Sequence, residues 1–133
     1  MLLAAAMLLT ATGLVAQTTD TQKINKKNLV IKEWNTDVQT NKKFLDHVTT
    51  YNADGKKIEE IEYSTTGQKW RKRFEYDAAG RVSLESVYDE KNRLDNYKKF
   101  EYNEFGRKKT QYTYDAKGKL QSVKVYEYLA EDA

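Results

Sequence analysis

Tyr76-Asp77-Ala78-Ala79-Gly80-Arg81 is the stretch that decides the fold, because six versions of it occur between Tyr51 and Leu120. The tyrosines that open the six copies are spaced 12, 13, 12, 14 and 12 residues apart. A short period that persists along a chain is the signature of a repeat architecture. The other five copies begin at Tyr51, Tyr63, Tyr88, Tyr102 and Tyr114.

Each copy has the residues of a reversing turn. Asp or Asn after the tyrosine can hydrogen-bond the backbone two residues on. Gly three residues later supplies the positive φ that closes a three-residue hairpin loop. One copy has Asn92 there, and Asn also tolerates left-handed geometry. The predicted turn-forming residues are Asn52, Gly55, Gly67, Asp77, Gly80, Asp89, Asn92, Asn103, Gly106, Asp115 and Gly118.

The segments between the turns predict strands. They are too short to hold a helix and a turn, and regular turns at this spacing indicate an all-β chain. Six turns imply seven strands, and an eighth is predicted at Leu29–Trp34, joined by the polar stretch 35–42. We therefore expect an antiparallel up-and-down meander of 7–8 strands, in a single twisted or curled sheet over residues 29–128, followed by a tail at 129–133.

A longer period separates the loops into two rows. Phe74-Glu75-Tyr76, Phe100-Glu101-Tyr102 and Tyr126-Glu127-Tyr128 lie 26 residues apart, which is two hairpin units. Alternate turns of a meander lie at the same end of the sheet. One row is predicted to hold the loops 52–55, 77–80 and 103–106, and the other the loops 64–67, 89–92 and 115–118.

Counting outward from the loops predicts a register in which aromatic residues meet across strands. If Asp77 pairs with Arg81, then Phe74 faces Leu84. The hairpin around Gly67 is the exception, where we expect an extra residue or bulge. This register places on one side of the sheet Trp70, Phe74, Tyr76, Tyr88, Phe100, Tyr102, Tyr112, Tyr114, Tyr126 and Tyr128.

That aromatic side is the candidate interaction face. It could be a core covered by curling of the sheet, or it could dock on a partner, because a domain usually needs two layers. Tyr and Trp rings can stack on sugars or clamp a protein strand. The terminal strands would offer open edges to another chain, which also allows a homodimer through the face or an edge.

The first residues predict export. Leu2–Ala16 is apolar with small residues at its end, as in a secretory signal peptide cleaved near Ala16. The rival interpretation is a membrane anchor, but the run is short for the ~20 residues that span a bilayer. We expect a signal peptide at 1–16, a flexible leader at 17–28 and a secreted or periplasmic mature protein with no stable membrane span. The absence of cysteine means that no disulfide supports the fold.

Charge and titratable residues indicate binding more than catalysis. The net charge of +3 combines 23 basic with 20 acidic residues, which is typical of a solubility surface. Basic runs such as Lys69–Arg73 could attract acidic glycans, whereas export argues against nucleic acid. His47 is the sole histidine and is predicted to face Ile61. No metal cluster, cofactor motif or nucleophile–base pair can be assembled, so we expect neither a cofactor nor an enzyme.

The motif Tyr-Asp-x-x-Gly-Arg resembles the YD repeats of Rhs-type bacterial proteins. Residues 76–81 match it outright, and those at 102–107 and 114–119 match with one conservative change each. In that family long runs of repeats form shells around a cargo or serve as surface interaction modules. This chain has too few repeats to enclose a cargo, and it looks more like small exported repeat proteins.

Together these features predict an exported, non-enzymatic β-repeat protein that acts as a binding or structural module. A glycan or a protein is the expected partner. The alternatives are a purely architectural part of a surface assembly and an antitoxin- or immunity-like repeat protein.

Overall fold

The computed structural model describes residues 24–131 as one sheet of eight antiparallel strands. Each strand pairs with the next one in the chain, so the strand order is the chain order. The strands are β1 (Val30–Asp37), β2 (Lys42–Tyr51), β3 (Lys57–Ser64), β4 (Gly67–Tyr76), β5 (Val82–Tyr88), β6 (Leu94–Tyr102), β7 (Lys108–Asp115) and β8 (Leu120–Val125). The predicted all-β meander is confirmed. The predicted signal peptide at 1–16, the leader residues 17–23 and the last two residues of the tail lie outside the described residues.

The sheet is a single open layer. Among residues 24–131, contacts between strands join only sequence neighbours, so β1 and β8 do not meet. No apolar side chain in this range is fully buried, and the most enclosed residues are Thr49 and Thr110. The sheet therefore has no core between layers, and its side chains must be covered by their neighbours on the same face.

The first hairpin has a related turn that is one residue longer, since Asn41 N bonds Asp37 O where Gly80 N bonds Asp77 O. β1 extends to Asp37, and Gln39 N donates to Asp37 Oδ1 over 2.9 Å. Asn41 has a φ of 57°. The stretch predicted as a polar connection is therefore partly strand and partly a turn. Spacing from tyrosines missed it because Thr36 occupies the place of the tyrosine.

Every hairpin contains one bulge, and the predicted register is wrong beyond it. Tyr76 faces Val82 as expected, but Glu75 faces Leu84 and Phe74 faces Glu85 because Ser83 is an extra residue. The same offset follows Tyr102 in β6 and Tyr114 in β7. The bulge expected beside Gly67 is present, and the other six hairpins each have one as well.

The bulges divide the predicted aromatic face between two sides of the sheet. Because side chains alternate along a strand and an extra residue reverses the alternation, successive turn tyrosines point to opposite sides. On the first side, which we call face A, lie Trp70, Phe74, Tyr76, Phe100, Tyr102, Tyr126 and Tyr128. On the opposite side, face B, lie Tyr88, Tyr112 and Tyr114, so their predicted place beside Tyr76 was wrong. The same shift places His47 opposite Glu62 instead of Ile61.

Candidate functional site: the tyrosine ladder and the sheet edges

The turns are closed by their own side chains. Asp77 Oδ1 accepts from Ala79 N at 3.0 Å and Arg81 N at 2.9 Å, and Asp77 Oδ2 accepts from Arg81 Nε at 3.1 Å. Gly80 has a φ of 81°, a region that favours residues without Cβ. Equivalent Oδ1 contacts recur at Asn52, Asp89, Asn103 and Asp115. These residues build the fold and leave little of the turn for a ligand.

The carboxylates in the turns respond to this geometry. Backbone N–H groups hold the pKa of Asp77, Asp89 and Asp115 below the ordinary value, with Arg81, Arg93 and Lys119 respectively supplying the largest contribution. Hydrogen bonds to a carboxylate favour its ionised form. Each turn is therefore strongest when its carboxylate is charged.

One row of tyrosines forms a ladder across face A, which we call the tyrosine ladder: Tyr51, Tyr76, Tyr102 and Tyr128. Each of the last three hydroxyls donates to the carbonyl of the first residue of a preceding strand. The hydrogen bonds are Tyr76 to Lys57, Tyr102 to Val82 and Tyr128 to Lys108, all at 2.6 Å. Each tyrosine therefore bonds the adjacent strand and ties one hairpin to the previous hairpin of the same row.

A cation covers each ring of the ladder. Lys56 Nζ lies 5.4 Å from the centroid of the Tyr76 ring, and the Arg81 guanidinium lies 4.8 Å from that of Tyr102. Arg107 covers Tyr128 and Lys26 covers Tyr51 in the same way. The last residue of the repeat motif thus lies over the ring of the next tyrosine of its row. Such a cation–π contact is worth ~0.5–1 kcal/mol at an exposed site.

Burial under these neighbours raises the pKa of the Tyr76 and Tyr102 phenols. For Tyr102 the nearby Asp77 carboxylate adds to the effect. The phenols remain protonated, which the hydrogen bond to a carbonyl requires. Tyr76 and Tyr102 therefore act as structural contacts between strands.

Face B uses different contacts. The Tyr97 and Tyr114 rings stack with centroids 4.9 Å apart, and Lys99 lies over Tyr114. Arg71 covers Tyr88 and also bonds Glu59. Tyr112 donates a short hydrogen bond to Glu101, which raises the pKa of the phenol. Face B is thus also covered by its own side chains.

The inner aromatic residues of face A are likewise covered by charges. Lys72 lies over Trp70, Lys57 over Phe74 and Lys108 over Phe100. His47 meets the edge of Trp70 and lies 3.6 Å from Glu60. Nine of the ten aromatic residues of the predicted interaction face are half-buried, and Tyr128 is 45 % exposed.

Within the strands, the exposed large apolar residues lie instead on the two edge strands. Every residue of β1 and of β8 is exposed, whereas most residues of β3, β5 and β7 are half-buried. Trp34 on β1 is 53 % exposed and Val125 on β8 is 68 % exposed. Val30, Leu120 and Val123 also lie on these strands and are about half exposed. The sequence prediction missed them because it followed the tyrosines, although the alternation in Val30–Trp34 marks a half-apolar strand.

The edges also present backbone groups. Tyr126 N donates to Lys109 O, so by alternation the N–H groups of Val125 and Val123 point away from β7. Tyr51 N donates to Leu29 O, so the N–H groups of Val30 and Lys32 point away from β2. Within residues 24–131 no strand pairs with these groups.

A shallow concavity lies at the end of the ladder. It measures about 620 Å³ and is lined by Asn103, Phe105, Arg107, Glu127, Tyr128, Leu129 and Ala130. Phe105 is 80 % exposed at the tip of its turn. The sequence prediction did not single out Phe105.

In the described part of the chain no three His, Asp or Glu side chains are grouped to hold a metal ion. Over the same residues there is no helix of the length and apolarity needed to cross a membrane.

Comparisons with known proteins give no family. No protein-family model and no curated protein sequence matches the chain. Three solved structures resemble parts of it. The GtfA/B complex bound to UDP and GlcNAc matches 71 % of this chain with a TM-score of 0.30 and 16 % identity. Accessory secretory protein 1,2 and 3 in Streptococcus pneumoniae matches 84 % with a TM-score of 0.35 and 16 % identity, and TarM matches 85 % with a TM-score of 0.33 and 15 % identity. The chain covers only 20 %, 22 % and 23 % of those chains, respectively. Likenesses at these TM-scores say nothing about what this chain does.

Proposed function

We propose that this protein is an exported, non-enzymatic module of the YD-repeat kind that binds protein partners by extending its sheet at β1 or β8. The observation that carries the proposal is the contrast in exposure. Interior rings are half-buried, whereas Val125 and Trp34, which has Lys43 over one side of its ring, are more than half exposed on edge strands.

The partner's chemistry follows from what the edges present. An added strand would take up the outward N–H and C=O groups of Val123 and Val125, and its side chains would alternate against theirs. Such binding needs an extended segment of protein. A partner that depended on the Trp70 region would first have to displace Lys72, which lies 5.1 Å from the ring centroid.

The test is capture of partners on the immobilised mature chain from periplasmic and surface extracts of the source cells. Val125→Pro removes one outward N–H without removing a bond to β7. We expect it to abolish capture at β8, and Lys32→Pro should do the same at β1. Val125→Ala is the matched control, because it shortens the side chain and keeps the donor.

Capture that survives both proline substitutions and is lost in Trp70→Ala would contradict edge binding and favour the aromatic face. Export has its own measurement. Mass spectrometry of the secreted or periplasmic protein should find an N-terminus after Ala16.

A second function, glycan binding, is favoured by the concavity beside Phe105. Exposed rings next to Asn, Arg and Glu side chains can stack on a sugar and bond its hydroxyls. Retention on polysaccharide affinity gels should fall in Phe105→Ala and persist in Trp70→Ala. Equal retention of wild type and Phe105→Ala would remove this alternative.

A further inference from the structure

We infer that β8 of one copy pairs with β1 of a second copy, in the register that the internal hairpins already use. The inference rests on the proposed edge binding and specifies its occupant. It is carried by the fit between the two edges when the second copy is placed as the next unit of the repeat.

The register is set by the ladder. Tyr76 faces Val82 and Tyr102 faces Lys108, the first residues of β5 and β7. Tyr128 is the next member of that series, 26 residues after Tyr102. In a second copy, the residue that corresponds to Val82 and Lys108 is Val30, the first residue of β1, so Tyr128 is expected to face Val30.

The backbone of the two edges fits this register. In the Tyr51, Tyr76 and Tyr102 hairpins an extra residue follows the pair that the tyrosine makes, so Glu127 comes opposite Lys32 of the second copy and Val125 comes opposite Trp34. In each of these pairs both residues turn their N–H and C=O groups outward, by the alternation fixed at Tyr126 and Tyr51. A shift by one residue would set an outward group against an inward one.

The side chains fit as well. Glu127 meets Lys32, which places opposite charges across the junction. Val125 meets Trp34, so two of the most exposed apolar side chains of the edges cover each other on face B. Lys124 comes opposite Asn35 on face A. The contact buries the exposed side chains of Val125 and Trp34 and places no like charges opposite each other.

The contact is heterologous, since each copy uses a different edge. Such contacts form rings when the rotation closes and open chains when it does not. This yields a test that separates it from symmetric pairing of two β8 or two β1 strands. Lys32→Pro leaves only β8 available, and Val125→Pro leaves only β1 available.

In light scattering, wild type should grow in mass with concentration. Lys32→Pro and Val125→Pro should each remain monomeric, and their mixture should stop at a 1:1 pair. A dimer of Lys32→Pro alone would show β8–β8 pairing, a dimer of Val125→Pro alone would show β1–β1 pairing, and a monomeric wild type would show neither. Each outcome overturns the inference.

Disulfide formation tests the register. In the proposed junction Lys124 and Asn35 form a pair without mutual hydrogen bonds, with Cα atoms about 4.5 Å apart, within disulfide reach. The chain contains no cysteine, so every disulfide in a mixture of Lys124→Cys and Asn35→Cys copies joins introduced residues, and the mixed disulfide reports the junction. We expect crosslinking at least tenfold faster than with Glu33→Cys, which lies two residues away. Equal rates would contradict the register.

The two proposals can fail separately. If wild type is monomeric while capture of another protein depends on Val125, edge binding stands and self-assembly falls. If wild type assembles and the proline variants assemble equally, strand pairing at the edges is wrong, and both proposals fall.

Discussion

At the residue scale, each position of the repeat has a distinct physical task. The tyrosine bonds a carbonyl of the adjacent strand, the aspartate accepts two backbone donors and the glycine supplies a left-handed φ. In the Arg81 copy the final cation bonds its own Asp77 and covers the next tyrosine. The motif is therefore explained by contacts within the sheet.

Replacing Asp77, Asp89 and Asp115 by asparagine should reduce the loss of the free energy of unfolding at acidic pH. Their pKa values are lowered in the folded chain, so their contribution is complete above the ordinary carboxyl pKa of ~3.9 and is lost as pH falls through the lower folded values. Asp77→Asn, Asp89→Asn and Asp115→Asn keep an accepting Oδ1, as Asn52 and Asn103 do.

Urea unfolding between pH 2 and 7 measures this effect. The triple variant should lose less free energy of unfolding on acidification than wild type. Parallel pH profiles would show that these carboxylates do not govern acid stability.

Gly106 tests the cost of the left-handed position. Its φ is 77°, and a Cβ there would meet nothing within 4 Å, so Gly106→Ala should cost ~1–2 kcal/mol from backbone strain alone. Gly106→Asn should cost less, because Asn92 already occupies the equivalent place at 61°. If urea denaturation shows that Gly106→Ala is more stable than Gly106→Asn, this explanation is contradicted.

At the element scale, a hairpin is held to the previous hairpin of its row by the tyrosine ladder. β5 and β6 already pair through their backbones, and the Tyr102–Val82 bond adds a side-chain tie between these two adjacent strands at the end where they belong to different hairpins of the row. Lys56 adds a second such tie through its 3.0 Å bond to Gly80 O. These contacts take the place of packing against a second layer.

Tyr102→Phe should lower the free energy of unfolding by ~1 kcal/mol, the usual net value of one hydrogen bond. The ring and its contact with Arg81 remain, so only the hydroxyl is tested. Tyr88→Phe is the matched control, because the Tyr88 hydroxyl makes no hydrogen bond within the described residues. Equal losses in the two variants, measured by thermal or urea unfolding, would argue against the ladder.

At the scale of the whole molecule, the sheet is a one-dimensional array in which each strand contacts only its neighbours. Its structural period is two hairpins, because each bulge sends the next tyrosine to the other face. Stability in such arrays is approximately a sum of unit and neighbour terms.

Deletion of residues 77–102 removes 26 residues and joins Tyr76 to Asn103, which preserves the ladder and its carbonyl acceptors. We expect a folded six-stranded sheet with a lower free energy of unfolding. Deletion of 77–88 removes one turn and one strand and joins Tyr76 to Asp89, which keeps the turn residues but places the next tyrosine on the wrong face, so it should fold poorly or not at all. Circular dichroism and amide NMR spectra distinguish them, and equally dispersed spectra would show that the period is one hairpin.

The sequence by itself determined the turns, the strand count and the chain-ordered sheet, because those follow from local rules: Asp or Asn and Gly close each loop, and the short spacing leaves room only for strands. Only the tertiary structure decided which residues share a face. One bulge beside each turn reverses the alternation, and no residue of Val82-Ser83-Leu84 announces which one will be extra. The same bulges moved Tyr88, Tyr112 and Tyr114 away from Tyr76, whereas their place on edge strands left Trp34 and Val125 exposed. Burial depends on which side chains of the neighbouring strands share a face, which local spacing does not specify.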